Sequence, residues 1–469
     1  MKAISAEQMR ELDRRAMAEA GIPAETLMER AGRGAAAAVR RLAAWRGDRT
    51  PRVRLVAGRG NNGGDAFAAA RCLREWGCAA DVWLAARSGE LQGAAQVHFR
   101  RMAAAGVLVR ELPDEADWER AAAEETPSAI VVDGLLGTGA RGAPRGAVAR
   151  AIRWVNAAGR RNPVVALDLP SGLDADTGQP QGETVRADLT VTMAFPKRGL
   201  LTPAALEYVG NLEVADLGFP PALAEGLASD LDLIVAQEVA EALPRRPRAS
   251  HKGDYGHVLI VGGARGYTGA PALAARAAVR SGAGLVSVLV PASIAPAVAA
   301  AAPEAMVHFG AENKHGSLAA SALAASGLDR QRFAAVLLGP GMTARPDTRA
   351  LVEQALSVPG RLAVLDADAL NALHGDWERV RAAAGAVVVT PHPGELGRLL
   401  GCATAEVQAD RLAAARDAQR RGGAVVVLKG AGTLIAAADR LRINLTGNPG
   451  LAKGGMGDVL AGQIGRAHV

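Results

Sequence analysis

The sequence predicts an α/β protein of two domains, each a layered sheet with helices, and three observations lead there. β-branched and apolar runs of four to six residues alternate with Ala-rich stretches of helical pattern, the pattern of βαβ units and a parallel sheet. The chain has 469 residues, too many for one ordinary core. The alternation stops near residue 217 and resumes at His257-Val-Leu-Ile-Val261, which divides the chain into 1–217, a linker region 218–253 and 254–469.

Two helices are expected first, one from about Ser5, a suitable N-cap, to Ala20, and one from about Pro23 to Trp45. Strands follow at Val53–Ala57, Asp81–Ala85, Val107–Glu111, Ala129–Asp133, Val164–Asp168, Leu189–Ala194 and Leu212–Ala215, with helical stretches between the first five. The Pro- and Arg-rich segment before Gly253 reads as a connector. The second series has strands at His257–Gly262, Leu285–Val290, Ala335–Leu338, Leu362–Leu365, Ala386–Val389 and Val425–Leu428. A hairpin-like pair, Thr433–Ala436 and Arg440–Ile443, closes it.

Charge and composition narrow the function. The net charge is +6, yet only six of the 54 basic residues are Lys, and the 48 Arg are scattered among acids; aromatics are 3%. Without a basic stripe or stacking platforms, no nucleic-acid partner is expected. Cys72, Cys78 and Cys402 fit neither a disulfide framework nor a zinc site. The amino end lacks the apolar core of a signal peptide and no apolar run is long enough to cross a membrane, so a soluble cytoplasmic protein is expected.

Three loops of the first half follow strand ends, where ligands bind in such sheets. They are GRGNNGGDAFAAAR (58–71), VVDGLLGTGARGA (131–143) and ALDLPSGLDADTG (166–178). The first reads less as a plain dinucleotide cradle than as a site for polar chemistry. Its Asp65 repels a pyrophosphate, whereas the amide oxygens of Asn61 and Asn62 with a carboxylate suit a cation or a ligand rich in hydroxyl and amide groups. The plainer alternative is a loop of left-handed turns, for which Gly and Asn are the permitted residues. Asn62, Asp133, Asp168 and Ser171 all fall toward one edge, and Gly137-Thr138-Gly139 with Arg141 offers amides and a positive charge to phosphate. Asp133 alone would also serve as a turn cap.

At these residues the chain resembles the NAD(P)H-hydrate epimerase domain, which implies a Rossmann-like three-layer αβα fold over residues 1–217. The resemblance implies interconversion of the R and S epimers of NADHX or NADPHX, the cofactor hydrated at ring carbon 6. It implies a potassium ion on Asn62, Asp133 and Ser171. The hydrate would contact Asn61, Asn62, Gly63, Gly64, Asp65, Gly137, Thr138, Gly139, Ala140, Arg141, Gly142, Ala143 and Asp168, with Asp168 the acid/base. Ala66 stands where the family usually has Gly.

In the second half GGARGYTGAPALAA (262–275), LLGPGM (337–342), VVTPHPGELGRLL (388–400), VVLKGAGTLIA (426–436) and NPGLAKGGMGDVLAG (448–462) stand out. Gly454-Gly-Met-Gly457 reads as a loop into a helix N-terminus, an anion hole with Asp458 beside it. A carboxylate next to an anion hole is what phosphoryl transfer to a hydroxyl requires, although glycines before an Asp also make an ordinary helix start. Lys429-Gly-Ala-Gly-Thr433 supplies a second phosphate-type loop. His392 lies between prolines that fix its backbone; a solvent-facing turn is the alternative.

These stretches resemble the ADP- or ATP-dependent NAD(P)H-hydrate dehydratase domain, a ribokinase-like α/β fold, and the domain order resembles bifunctional repair enzymes. By that resemblance Ala270, Gly341, His392 and Asp458 contact the hydrate. Lys429, Gly430, Ala431, Gly432, Thr433 and Gly457 take the adenine nucleotide with magnesium, and Asp458 is the base. A homo-oligomer is expected. The competing expectation is a ribokinase-type small-molecule kinase fused to a non-catalytic Rossmann-like binding module. Eleven residues follow Asp458, and Gln463-Ile-Gly-Arg-Ala-His-Val469 reads as a translated sequencing adaptor, so a domain truncated at its carboxyl end is expected.

Overall fold

A computed structural model describes residues 1–123, 130–243 and 245–466. The chain divides into two compact units, Met1–Leu233 and Ile234–Val469.

The first unit opens as its capping residues dictate. The hydroxyl of Ser5 accepts from the Gln8 amide while the Gln8 side chain accepts from the Ser5 amide, starting helix Ala6–Ala18. Helix Ala24–Trp45 begins after Pro23. Strands β1 (Arg52–Ala57), β2 (Ala79–Leu84), β3 (Leu108–Glu111), β4 (Ile130–Gly134), β5 (Val164–Leu167), β6 (Leu189–Met193) and β7 (Asn211–Ala215) form one sheet in the order β3-β2-β1-β4-β5-β6-β7. Every pairing is parallel. The central strands are buried on both faces, as parallel strands between helices must be. The order reverses between β1 and β4, and there the expected loops meet. Ala129, the expected start of β4, lies outside the described residues.

The boundary differs from the expected linker. Leu223, Leu231 and Leu233 are buried, helix Pro221–Glu225 and the two-residue strand β8 (Asp232–Leu233) intervene, and the Lys2 ammonium donates to the carbonyls of Ala224, Glu225 and Leu227. The first core therefore closes near residue 233, because segment 218–233 carries apolar side chains that periodicity alone does not assign. Beyond it lies helix Ala236–Ala242.

In the second unit β9 (His257–Val261), β10 (Leu285–Pro291), β11 (Met306–Gly310), β12 (Ala335–Leu338), β13 (Leu362–Leu365), β14 (Val387–Val389) and β15 (Val425–Leu428) are parallel. The antiparallel strands β16 (Thr433–Ala436) and β17 (Leu441–Asn444) extend the order β11-β10-β9-β12-β13-β14-β15-β16-β17. Strand β11 was not expected; it lies at an edge, and Met306 and Phe309 on it are exposed, so it lacks the apolar run of a central strand. Both units are α/β, as the sequence predicts.

The closing helix Met456–Arg466 packs on helix Gly269–Ser281. Gly462 permits this, since a Cβ there would lie 2.2 Å from the Ala274 carbonyl oxygen. Residues 463–466 of the questioned tail continue this helix; 467–469 lie outside the described residues. Gly462→Ala should cost about 1–3 kcal/mol by forcing the two helices apart. Urea unfolding of the second unit measures it, and an unchanged midpoint would refute the close approach.

Candidate active sites

In the first unit the site grows from close backbone contact at the ends of β1 and β4. A Cβ on Gly63 would lie 1.9 Å from the Gly58 carbonyl oxygen, and one on Gly58 would lie 2.1 Å from that of Leu135. Neither has a positive φ, so these glycines are needed for approach and not for handedness. Ala66 faces Gly134 and is fully buried, so the position that departs from the family's glycine turns into the core.

Asn62, Asp133 and Ser171 come together. The Ser171 hydroxyl donates to Asp133 Oδ1 at 2.7 Å, its amide to Oδ2 at 2.8 Å, and the Leu135 amide to Oδ1 at 3.1 Å. The Leu136 amide in turn donates to the Ser171 hydroxyl at 2.9 Å, and Asn62 Nδ2 donates to the Leu136 carbonyl at 2.8 Å. Asn62 Oδ1 is buried with no partner. Burial pushes Asp133 up to about 6, against the pull of its hydrogen bonds to Ser171 and Leu135. One carboxylate, neutral oxygens and an orphaned amide oxygen fit a monovalent cation better than magnesium, which demands compact octahedral ligation.

Asp168 directly follows β5 in a left-handed conformation at φ 64°. Its Oδ1 accepts from the ammonium of Lys197, which also donates to Thr192 Oγ1 and the Met193 carbonyl, both at 3.1 Å. Lys197 has no exposure. Two more acids face this pair. Asp13 is pushed up to about 6 by burial, with Lys197 opposing and Asp168 adding. Asp65 is held well above the usual carboxylate range by burial, then by Asp168 and Asp13, again opposed by Lys197. Position 137 is adjacent to both clusters, since a Cβ on Gly137 would lie 3.3 Å from Asn62 Cβ and 3.8 Å from Asp168 Oδ2. Asn61 is exposed at the first turn of helix Asn61–Glu75, Thr138 is half-buried, and Gly139 to Ala143 are exposed on a loop. Lys197 and Asp13 were missed by the sequence reading.

In the second unit Asp366, at the end of β13, accepts from Lys429 Nζ at 2.8 Å and from Thr390 Oγ1 at 2.6 Å. Lys429 Nζ also lies 3.6 Å from Glu395 Oε2. Gly457 is beside them; a Cβ there would lie 3.6 Å from Lys429 Nζ. Asp458, in the first turn of its helix, is pushed up to about 6 by burial and by Asp366, against Lys429, with Asp368 adding. Asp368 accepts from the Thr343 amide at 2.8 Å. Between Asp366 and Asp368, Ala367 stands at φ 46°, ψ −115°, a region disfavoured for any residue with a Cβ.

His392 caps helix Pro393–Leu400. Its Nδ1 accepts from the Gly394 amide at 3.0 Å and the Glu395 amide at 3.3 Å, while its own amide donates to Glu395 Oε2 at 2.8 Å. Nδ1 is therefore the acceptor nitrogen, and Nε2 of the half-exposed ring lies 3.5 Å from Glu395 Oε1. Gly341 sits at φ 68° with Ala270 3.3 Å from its would-be Cβ. Lys429 to Gly432 form the turn between β15 and β16, where Thr433 Oγ1 donates to the Gly430 carbonyl at 2.8 Å. Asp366, Glu395 and Arg411 of this site were also missed; only the position after a strand end marked Asp366.

The Lys197–Asp168 pair generates a stability prediction. Lys197→Met should cost about 3–5 kcal/mol by leaving a buried carboxylate unpaired, and adding Asp168→Asn should restore much of it. A denaturation double-mutant cycle with additive effects would refute the coupling.

Known proteins resemble both units. A family model described as YjeF-related protein N-terminus matches residues 24–199, and one described as NAD(P)H-hydrate dehydratase matches residues 258–467. The Bifunctional NAD(P)H-hydrate repair enzyme of Moorella thermoacetica is 41% identical over 467 residues, covering 99% of this chain and 87% of the relative. Its counterpart in Coxiella burnetii is 38% identical, covering 98% and 88%. The ADP/ATP-dependent NAD(P)H-hydrate dehydratase of Bacillus subtilis, co-crystallized with ATP/Mg2+, is 31% identical with a TM-score of 0.45, covering 51% of this chain and 83% of that one. With two matched domains in this order and identity sustained over nearly its whole length, the chain belongs to the family of bifunctional NAD(P)H-hydrate repair enzymes.

Proposed function

We infer that the first unit epimerises NADHX and NADPHX at Asp168 and that the second dehydrates the S form at Asp458, at the expense of an adenine nucleotide. The protein is a metabolite-repair enzyme with both activities in one chain. The observation that carries the assignment of residues is a lysine–aspartate pair at the carboxyl edge of each sheet, with Asp168 a member of one and Asp458 beside the other.

In the epimerase site Asp168 handles the proton of the carbon-6 hydroxyl, whose inversion requires breaking and remaking the C–O bond. Lys197 donates to that carboxylate and fixes its position. Asp65, which resists ionisation, is a proton donor in the same cluster, and the loops 61–65 and 137–143 contact the hydrate. Asn62, Asp133 and Ser171 hold potassium, which supplies a fixed positive charge that neutralises Asp133.

In the dehydratase site Asp458 removes the proton of the ring hydroxyl as its oxygen attacks the terminal phosphorus of ADP or ATP. The bond to the leaving nucleotide breaks, and the phosphate ester of the hydrate forms. Phosphate then departs with the C6–O electrons, the ring nitrogen supplies a pair, and loss of a proton from carbon 5 restores the double bond. The amides at Gly457 and the loop Lys429 to Thr433 cradle the nucleotide's phosphates, with magnesium carried on them. Ala270, Gly341 and His392 contact the hydrate.

Incubating mixed hydrate epimers with ADP or ATP, and following the absorbance of reduced nicotinamide, separates the chemistries. Asp168→Ala should leave dehydration of the S form and abolish accelerated use of the R form; Asp458→Ala should abolish the return of reduced nicotinamide from both forms while R and S still interconvert, as chromatography of the two epimers reads. Loss of both activities from either change in folded protein would refute independent sites.

Since Asp458 acts as a base and lies near pKa 6, dehydration should fall as pH drops through about 6 and level off above it. A flat profile between pH 5 and 8 would remove Asp458 from that role. Potassium should raise both the epimerisation rate and the thermal midpoint of the protein, and Asp133→Asn should erase both effects. Equal values in lithium buffer would refute the ion site.

A further inference from the structure

Arg411 is placed at a cost. It is the first residue of helix Arg411–Gly422, where the helix dipole disfavours a cation by about 0.3–1 kcal/mol. It is only 6% exposed, and burial holds its guanidinium below the usual arginine range. Its hydrogen bonds go to neutral oxygens. Nη2 donates to the carbonyls of Leu428 at 3.3 Å, Lys429 at 3.2 Å and Gly432 at 3.3 Å, and Nη1 donates to Gln408 Oε1 at 3.0 Å. Two of these four acceptors belong to the turn between β15 and β16, and a third, Leu428, is the last residue of β15.

We propose that Arg411 is the positioning residue of the nucleotide loop, a buried fork that gathers three carbonyls of Leu428–Gly432 on one side and so turns the following amides to the other. The peptide bonds are all trans, so a carbonyl drawn toward the guanidinium sends the N–H of the same peptide away from it. For Lys429 and Gly432 those N–H groups belong to Gly430 and Thr433. The turn adopts this arrangement through Gly430 at φ 130° and Gly432 at φ 63°, and a Cβ on Gly430 would come within 3.2 Å of Arg411 Nη1. An ammonium cannot replace the fork, whose planar donors are fixed relative to one another. The arginine touches no substrate in this account; it acts through the loop.

The inference rests on the reading of Lys429 to Thr433 as the nucleotide loop, and the test separates the two. In the full chain, Arg411→Gln should raise the KM for ADP or ATP about tenfold or more, the scale of losing hydrogen bonds to a charged group. The kcat and the KM for NADHX should change by less than about threefold, with epimerisation in the same preparation unaltered. Arg411→Lys should recover only part of the nucleotide affinity. Gly430→Ala, which keeps the Arg411 side chain but disturbs the turn directly at φ 130°, serves as the reference for the loop. If Arg411→Gln is silent while Gly430→Ala raises the nucleotide KM, the loop reading stands and the role of Arg411 is overturned. If both are silent, the loop reading itself fails and the inference falls with it. If Arg411→Gln lowers kcat and both affinities together with the thermal midpoint, or does not fold, and Arg411→Lys shows that same uniform loss, Arg411 is merely structural and the proposal is wrong. A nucleotide-selective defect in Arg411→Lys supports it even where Arg411→Gln does not fold.

Discussion

A carboxylate buried at a sheet edge needs a cation beside it, and that requirement organises both sites. The chain has six lysines, and two of them, Lys197 and Lys429, pair with Asp168 and Asp366. In a low-dielectric pocket, an unpaired carboxylate would take up a proton instead of remaining charged. Around each pair lie further acids that burial and like charge push upward, Asp13 and Asp65 in one unit and Asp458 in the other. Each site thus sets acids that resist ionisation beside a lysine–carboxylate pair within one small volume.

The parallel sheets put those groups where they are. Val56 pairs with Asp133 and Asp133 with Ala166, so residues 77 and 33 positions apart in sequence become lateral neighbours. In the second unit Leu338 and Leu365 pair, as do Leu365 and Val389, which brings the segments after β12, β13 and β14 side by side. Asp366 and Thr390 are the next residues in line, and the hydroxyl of one reaches the carboxylate of the other.

Much of this was legible in the sequence. The alternation of apolar runs and helices is dictated by burial on both faces of each strand, and the glycine-rich signatures sit in strand-to-helix loops where backbone approach leaves few alternatives. What was not legible has a common cause. Lys197 is 29 residues from Asp168 and Arg411 is 18 from Lys429, and no local pattern distinguishes them from the other charges of the chain. Asp13 sits on an amphipathic helix and reads as part of its polar face. Strand β11, at the sheet edge, and segment 218–233, whose few leucines have no regular spacing, are held by tertiary contacts that composition does not display.

Ala367 carries a consequence of another kind. At φ 46° it occupies a conformation in which a methyl group costs of order 1 kcal/mol or more, and it is flanked by Asp366 and Asp368. Glycine would relieve that cost, yet would also enlarge the range of backbone angles open to the two acids. Directed evolution that screens for heat resistance alone is therefore drawn toward a mutation at this position, and a library scored only on melting temperature would enrich variants whose acids are less firmly aimed. Position 367 is thus a place to watch for a trade of turnover against robustness, and a retained alanine there in a hardened variant would mark selection that also read the chemistry.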